Sequence, residues 1–246
     1  MARRSDTLIV VAAAAAIGFF LLARGAAAKG KKSMPTGPKV DAKKTGPGST
    51  ADWARSRFAA ALAEVKKRSG EDLTDEAATQ IALSLLTHWS IETGAGANEY
   101  NFNVGNITAY GKQAYTTLRD ISGVELPFRS FDTLGDGVAA YVDLLNSSNY
   151  KAAAALLAQK PEETDWWIAL GKAGWFNPTK AKPPSTWDQA AASYAARRAS
   201  LAQYATVSGQ DLAEGGDVFD VDDEEDDTFD VAGVDVDGGE GEEGEQ

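Results

Sequence analysis

Apolar residues recur every three or four positions through most of the middle of the chain, which is the spacing of helices with one buried face. The first such stretch begins at Ser49 or Thr50 and ends at Arg68, with Gly70 beyond it as a stop signal. Strands are indicated where a segment rich in Thr and aromatic residues is broken by Ser-Gly. The pattern predicts a mainly α fold (α+β) with one small β-hairpin. The later predicted elements are a helix from Thr74, the hairpin over 114–131, and helices from Asp132, over about 149–159 and 162–172, and from Ser185 to about Tyr204.

The second predicted helix ends on a carboxylate. Ile81, Leu85, His88 and Glu92 follow one another at helical spacing and therefore share one face, and Gly94 follows as the C-terminal signal. A carboxyl group held against apolar surface resists ionisation, and an acid that keeps its proton can donate it to a leaving oxygen. Glycoside cleavage requires such a donor, so we predict Glu92 as a general acid. The alternative is an ordinary solvated acid at a helix end.

Four segments around and after Glu92 share one likeness. They are IETGAG at 91–96, YNFNVGNI at 100–107, PFRSFDTLGDGVAAYVDLL at 127–145 and AGWFNP at 173–178. In this order they resemble the lysozyme-like peptidoglycan hydrolases, and among them the flagellar-type endo-β-N-acetylglucosaminidases and their phage-borne relatives. The resemblance implies a two-lobed, lysozyme-like glucosaminidase domain over 49–210. It also implies that peptidoglycan glycan strands are the substrate, cut between N-acetylglucosamine and N-acetylmuramic acid, without a cofactor.

A second catalytic carboxylate is sought in the hairpin. The resemblance implies a hairpin glutamate on the first strand that assists water, and Asp120, which is shorter by one methylene, is the nearest position here. Glu125, on the second strand, is the other candidate. A lytic transglycosylase works with one acid/base because its substrate supplies the attacking hydroxyl. Asp120, Glu125 and no second acid therefore stay open, and so does the choice between hydrolase and transglycosylase.

Candidate substrate contacts come from amides and one indole. Asn101, Asn103 and Asn106 carry amides that both donate and accept hydrogen bonds, which suits sugar hydroxyl and N-acetyl groups. Asparagine also favours tight turns for local reasons. Trp175, in a glycine turn, is predicted to line a groove, since similar enzymes usually place a tyrosine there. His88, the one histidine of a chain without cysteine, is interpreted as a satisfied helix residue rather than a catalytic base, and no zinc-type metal site is expected.

Charge divides the chain into parts. The net charge of −12 is made up of +7 over residues 1–48, −2 over 49–210 and −17 over 211–246. The net negative charge therefore comes mainly from residues 211–246 and gives no information about what the middle domain binds. The middle domain has no basic surface pattern typical of nucleic-acid binding, so no nucleic-acid partner is expected.

The first 28 residues have the features of a membrane anchor or a secretory signal. Residues 7–23 are uncharged, and seventeen residues make about 25 Å of helix, the short end of a membrane span. Ala26 to Ala28 would suit signal cleavage, but lysines and an arginine crowd the distal side, so we favour a single-pass anchor. The expected location is a bacterial envelope or a phage virion membrane, or secretion if residues 1–28 are removed. Residues 29–48 are predicted to be a flexible basic linker.

Residues 211–246 are predicted to be a disordered acidic tail, since so much like charge repels itself. Its Val and Phe residues form a strip that would suit a basic partner, and solubilising disorder is the alternative. The sequence thus favours a membrane-tethered peptidoglycan hydrolase, with a virion-associated wall-opening role as one setting. A non-catalytic wall-binding or virion structural module on the same fold is the other hypothesis.

Overall fold

The computed structural model describes residues 34–119, 124–180 and 184–205. Within these ranges the chain forms six α-helices and one two-stranded antiparallel sheet, so the predicted mainly α fold with a small hairpin is confirmed. The lysozyme-like, two-lobed arrangement stays a prediction. In chain order the elements are α1 Thr50–Ser69, α2 Asp75–Thr93, β1 Tyr115–Arg119, β2 Glu125–Arg129, α3 Leu134–Leu145, α4 Lys151–Gln159, α5 Asp165–Lys172 and α6 Trp187–Leu201, with short 3-10 turns at Gly70–Asp72, Pro178–Lys180 and Ala202–Tyr204.

Hydroxyl side chains begin the helices, because the first backbone N–H groups of a helix lack partners within it. Ser49 caps α1 and Thr74 caps α2, both as predicted. The predicted cap of α3 was wrong by one residue, since Thr133 and not Asp132 accepts from the first turn. The last helix likewise starts after Thr186, which forms a capping box.

Helix α2 lies in the centre of the fold. Every residue from Ala82 to Thr93 is buried, including the polar ones, because α1 covers one side and α6 another. The aromatic core residues Trp53, Phe58 and Trp89 are at most 1% exposed at the α1–α2 contact. A carboxylate near the end of such a helix lies inside the protein and not on its surface.

The hairpin is joined to the loop that follows α2. β1 pairs with β2 from Tyr115 opposite Arg129 to Arg119 opposite Glu125. At the inner end of the hairpin, Thr108 forms a bridge with Phe128, and the Arg129 N–H donates to the Ile107 carbonyl at 2.8 Å. This end of the sheet is therefore fixed to the asparagine-rich loop.

The described part of the predicted linker is packed on the domain. Residues 34–48, which we call the arm, run in an extended path, with a bridge from Lys39 to Tyr115 and another from Lys44 to Tyr100. The Asn101 N–H donates to the Lys43 carbonyl at 2.8 Å. Backbone hydrogen bonds thus join this part of the predicted linker to the domain, while the flexibility of the linker stays a prediction.

A buried ion pair joins the arm to α1 and to the loop after α2. Glu99 is fully buried and pairs with Arg57, which is 4% exposed. The Trp53 indole donates to the same carboxylate at 2.9 Å, and so does the Thr45 hydroxyl at 3.2 Å. Arg57 also donates to the Thr45 carbonyl at 2.8 Å. All these groups are needed to compensate two charges removed from water.

Several predicted segments lie outside the described residues. These are the anchor or signal over 1–28, residues 29–33 of the linker, Asp120, and the acidic tail over 211–246. In the described part of the chain, no helix is both long and apolar enough to cross a membrane. The anchor and the tail therefore stay predictions.

The packing of the arm can be tested with two glycines. A Cβ at Gly46 would lie 2.2 Å from the Gly96 carbonyl oxygen, whereas one at Gly48 would meet nothing within 4 Å. We expect Gly46→Ala to push the arm away from the domain, at a cost of about 1–3 kcal/mol, and to speed amide hydrogen exchange at Thr45 and Asn101. Gly48→Ala is the matched control. Equal exchange in both variants would contradict the packed arm.

Removal of the buried charge at position 99 should destabilise the whole domain. Glu99→Gln leaves the Arg57 guanidinium buried beside a neutral amide, and we expect the free energy of unfolding to fall by about 3–5 kcal/mol. Chemical denaturation measures this. Glu163→Gln breaks a pair with Lys160 whose side chains are 54% and 48% exposed, and should cost no more than about 1 kcal/mol. Similar losses in the two variants would show that the buried pair is not special.

Candidate active site

Glu92 lies in the last turn of α2, directly before the final residue of the helix. Gly94 ends the helix in a left-handed conformation, with φ 61°, and its N–H bonds to the Ser90 carbonyl. Glycine adopts this conformation without a steric penalty. Glu92 is 9% exposed, so its carboxyl group is largely shielded from bulk water.

Two ring nitrogens lie within hydrogen-bond distance of one oxygen of this carboxyl group. The Trp175 indole Nε1 donates to Glu92 Oε1 at 3.0 Å. The Nε2 atom of His88, one helical turn earlier, lies 3.2 Å from the same oxygen. The main chain is fixed as well, because the side-chain amide of Asn106 donates to the Glu92 carbonyl. The carboxyl group is therefore contacted by Trp175 and by His88 of its own helix, and the main chain of Glu92 by Asn106.

An aromatic shell encloses His88. Its Nδ1 atom is in hydrogen-bond contact with the Tyr141 hydroxyl, which comes from α3. The Trp175 ring centre lies 5.3 Å from the imidazole centre and the Trp166 ring centre 6.0 Å away, both edge to face. Tyr150 packs in turn on Trp175 at 5.1 Å. The surroundings of the candidate acid are thus aromatic, with polar atoms directed at particular positions.

Helix α6 holds this part of α2 in place. Arg197 Nε donates to the Ser90 hydroxyl at 2.9 Å, and burial lowers the pKa of this arginine. The Tyr194 hydroxyl donates to the Ser84 carbonyl at 3.1 Å, and burial raises its pKa. Both contacts are made to polar groups of a helix that is buried all round.

The asparagine amides hold the loop together. Asn101 uses its Oδ1 to accept from the Lys43 N–H, and its Nδ2 donates to Asp41 and Ser130. Asn103 bonds in the same way to the backbone of Ile107 and Arg129. Asn101 and Asn106 have positive φ angles of 51° and 48°, which asparagine tolerates better than most residues. Protein groups contact the amides of Asn101, Asn103 and Asn106, and their roles as substrate contacts stay predictions.

Of the two predicted hairpin acids, the structure describes Glu125. Glu125 is 55% exposed and faces Arg119 across the outer end of the hairpin, where the two side chains approach to 3.7 Å. Three residues, or about 10 Å of strand, separate it from Phe128 at the inner end. Asp120 lies outside the described residues, so its role as the second acid stays a prediction. Arg129, at the inner end, stacks on Phe131 at 4.8 Å, and burial lowers its pKa.

Trp175 was predicted to line a groove. Its indole is 2% exposed and donates directly to the candidate acid, while the groove role stays a prediction. His88 was interpreted as a satisfied helix residue, and both of its ring nitrogens have hydrogen-bond partners, Tyr141 and Glu92. The four-residue spacing of His88 and Glu92 was the available signal for their contact. The contact of His88 with Tyr141 was not predicted from the sequence.

Glycine is required where Tyr141 crosses the loop. A Cβ at Gly105 would lie 2.3 Å from the Tyr141 ring, so only glycine lets the ring lie over the loop and reach His88.

As for metals, the described residues contain no group of three or more His, Cys, Asp or Glu that could hold an ion. What this arrangement offers chemically is one oriented, shielded carboxyl group.

Comparison with known proteins gives one likeness of fold. No family model matches the sequence, and no curated protein matches it. Among solved structures, the glycoside hydrolase domain of FlgJ from Salmonella typhimurium is similar, with a TM-score of 0.44 and 19% identity. The similar region covers 63% of this chain and 89% of that domain. We infer the function from the residues of the site and not from this likeness.

The contact between Gly105 and Tyr141 gives a stability test. We expect Gly105→Ala to displace the Tyr141 ring and to lower the free energy of unfolding by about 1–3 kcal/mol. Gly135→Ala is the matched control, since a Cβ there would lie 3.8 Å from the Thr133 hydroxyl and helix propensity favours alanine. Thermal unfolding of both variants measures the difference. A Gly105→Ala protein as stable as the control would contradict this packing.

Proposed function

We propose that this protein cleaves the glycan backbone of peptidoglycan and that Glu92 is its general acid. The single observation that carries the proposal is the state of this carboxyl group, which is shielded from water and fixed by Trp175 and His88. General acid catalysis needs a proton donor held in a defined direction, and glycoside cleavage needs one at the leaving oxygen. The four segments that resemble the flagellar-type glucosaminidases support the choice of peptidoglycan.

The bond between N-acetylglucosamine and N-acetylmuramic acid is the proposed site of cleavage. Hydrolysis requires a second group to activate water or to act as a nucleophile. Asp120 remains the proposed candidate for this role. Glu125 is a weaker candidate because it is half-exposed and already faces Arg119.

A lytic transglycosylase is the second candidate function. Glu125 faces Arg119 and is therefore a weak candidate for a second acid. A lytic transglycosylase needs only one acid/base, so the position of Glu125 favours this enzyme class. In that reaction Glu92 protonates the leaving oxygen and then accepts a proton from the sugar hydroxyl that closes the ring. The two candidates differ in their products and can be separated by them.

The proposed setting is a membrane-tethered protein of a bacterial envelope or a phage virion. This part of the proposal rests on the sequence of residues 1–28, in which residues 7–23 are uncharged. The acidic tail over 211–246 is proposed to be a solubilising extension, with a basic partner as the alternative.

A digest of purified peptidoglycan tests the proposed activity. The full chain is compared with Glu92→Gln, which keeps the size of the side chain and removes the acid. We expect the wild type to release soluble fragments and Glu92→Gln to be slower by at least about 100-fold. Glu162→Gln, at an exposed glutamate, is the matched control and should behave as the wild type.

Mass spectrometry of the fragments identifies the reaction. New reducing N-acetylglucosamine ends indicate a glucosaminidase, and reducing N-acetylmuramic acid ends indicate a muramidase. Anhydro-muramic ends indicate the transglycosylase. A folded protein that binds several wall types and releases nothing would contradict the enzyme and favour the non-catalytic wall-binding module.

A further inference from the structure

His88 links the candidate acid to a buried phenol. We propose that His88 is a positioning residue for Glu92, that it is neutral with its proton on Nε2, and that the acid form of Glu92 carries its proton on Oε2. The part that concerns proton delivery rests on the proposed function. The part that concerns the imidazole rests on the contacts of His88 alone.

The hydrogen-bond partners determine the tautomer. A neutral imidazole has one N–H and one lone pair, and the bond made by one nitrogen determines the state of the other. The Tyr141 hydroxyl lies against Nδ1 and can donate to it, while Glu92 Oε1 lies 3.2 Å from Nε2 and can accept from it. Both contacts are satisfied when Tyr141 donates to Nδ1 and Nε2–H donates to Glu92.

Burial favours the neutral ring. His88 is 0% exposed and is surrounded by the rings of Tyr141, Trp166 and Trp175. A positive charge in this shell would lose its hydration. The neutral ring needs no second N–H donor, because the tyrosine supplies the hydrogen on that side.

Two hydrogen-bond donors approach Glu92 Oε1, which indicates that the other oxygen, Oε2, carries the proton of the acid form. The Trp175 indole is a donor only, so Glu92 Oε1 must accept from it, and His88 Nε2–H adds a second bond to the same atom. In a carboxylic acid the carbonyl oxygen is the better acceptor of the two. The acid form of Glu92 therefore keeps Oε1 as the carbonyl and holds its hydrogen on Oε2. Proton donation to a leaving oxygen then occurs from Oε2.

The chain contains one histidine, so a 15N-histidine label reports on this ring alone. The sample is the full chain, carrying no histidine tag, at neutral pH. We expect nitrogen NMR to show a neutral ring protonated on Nε2. Tyr141→Phe, which removes the hydroxyl, should bring in the second tautomer, and Tyr110→Phe, at a residue that is 60% exposed, should leave the spectrum unchanged. A wild-type ring protonated on Nδ1 or on both nitrogens would overturn the proposal, as would a Tyr141→Phe spectrum identical to that of the wild type.

Two substitutions separate positioning from packing. His88→Gln keeps an N–H that can donate to Glu92, whereas His88→Leu fills the space without a donor. With soluble peptidoglycan fragments as substrate, we expect His88→Leu to lower kcat by about 10- to 100-fold with little change in KM, and His88→Gln to restore most of the loss. Equal losses in both variants, or none in either, would overturn the positioning role. If the wild type releases no fragments, the proposed function fails while the NMR result still decides the tautomer.

Discussion

A buried ion pair between Arg57 and Glu99 joins α1 and the arm to the loop that follows the candidate acid. Glu99 is fully buried, and a charge left alone there is strongly destabilising, so each of its partners has to be in place. Its partners Arg57 and Trp53 come from α1 and Thr45 comes from the arm over residues 34–48, whereas Glu99 itself lies in the loop after α2. The pair therefore fixes the start of the loop whose asparagines continue back to the main chain of Glu92.

The geometry of the candidate site follows from the burial of helix α2 near its end. Because α2 is buried on all sides near its end, Glu92 and His88 point into protein and need partners there. Trp175 and Tyr141 supply them from segments far away in sequence, and Gly105 leaves the space that Tyr141 occupies. The same contacts that satisfy buried polar atoms also orient the carboxyl group. Stability and the proposed chemistry thus depend on the same side chains.

Local features were predictable from the sequence, and tertiary ones were not. The helix from Thr74 to Glu92 follows from its apolar spacing and its cap, both of which are local properties. The arm was predicted as a flexible linker because its composition offers little to bury, while backbone hydrogen bonds, which composition does not encode, fix it in place. Asn101 was predicted as a substrate contact from its amide, whereas its hydrogen bonds to Lys43 and Asp41 span 58 and 60 residues, which no local pattern indicates. The contact of His88 with Tyr141 spans 53 residues, so no spacing rule indicates it.

The central claim is that a glycosidic oxygen approaches the carboxyl group of Glu92. A crystal structure of the Glu92→Gln variant with a soluble oligosaccharide of alternating N-acetylglucosamine and N-acetylmuramic acid tests it most directly. The account predicts that a glycosidic oxygen lies within roughly 2.6–3.2 Å of the side chain at position 92, with the contacts of Trp175 and His88 retained. An oligosaccharide bound elsewhere on the protein, with position 92 closed to it, would contradict the account.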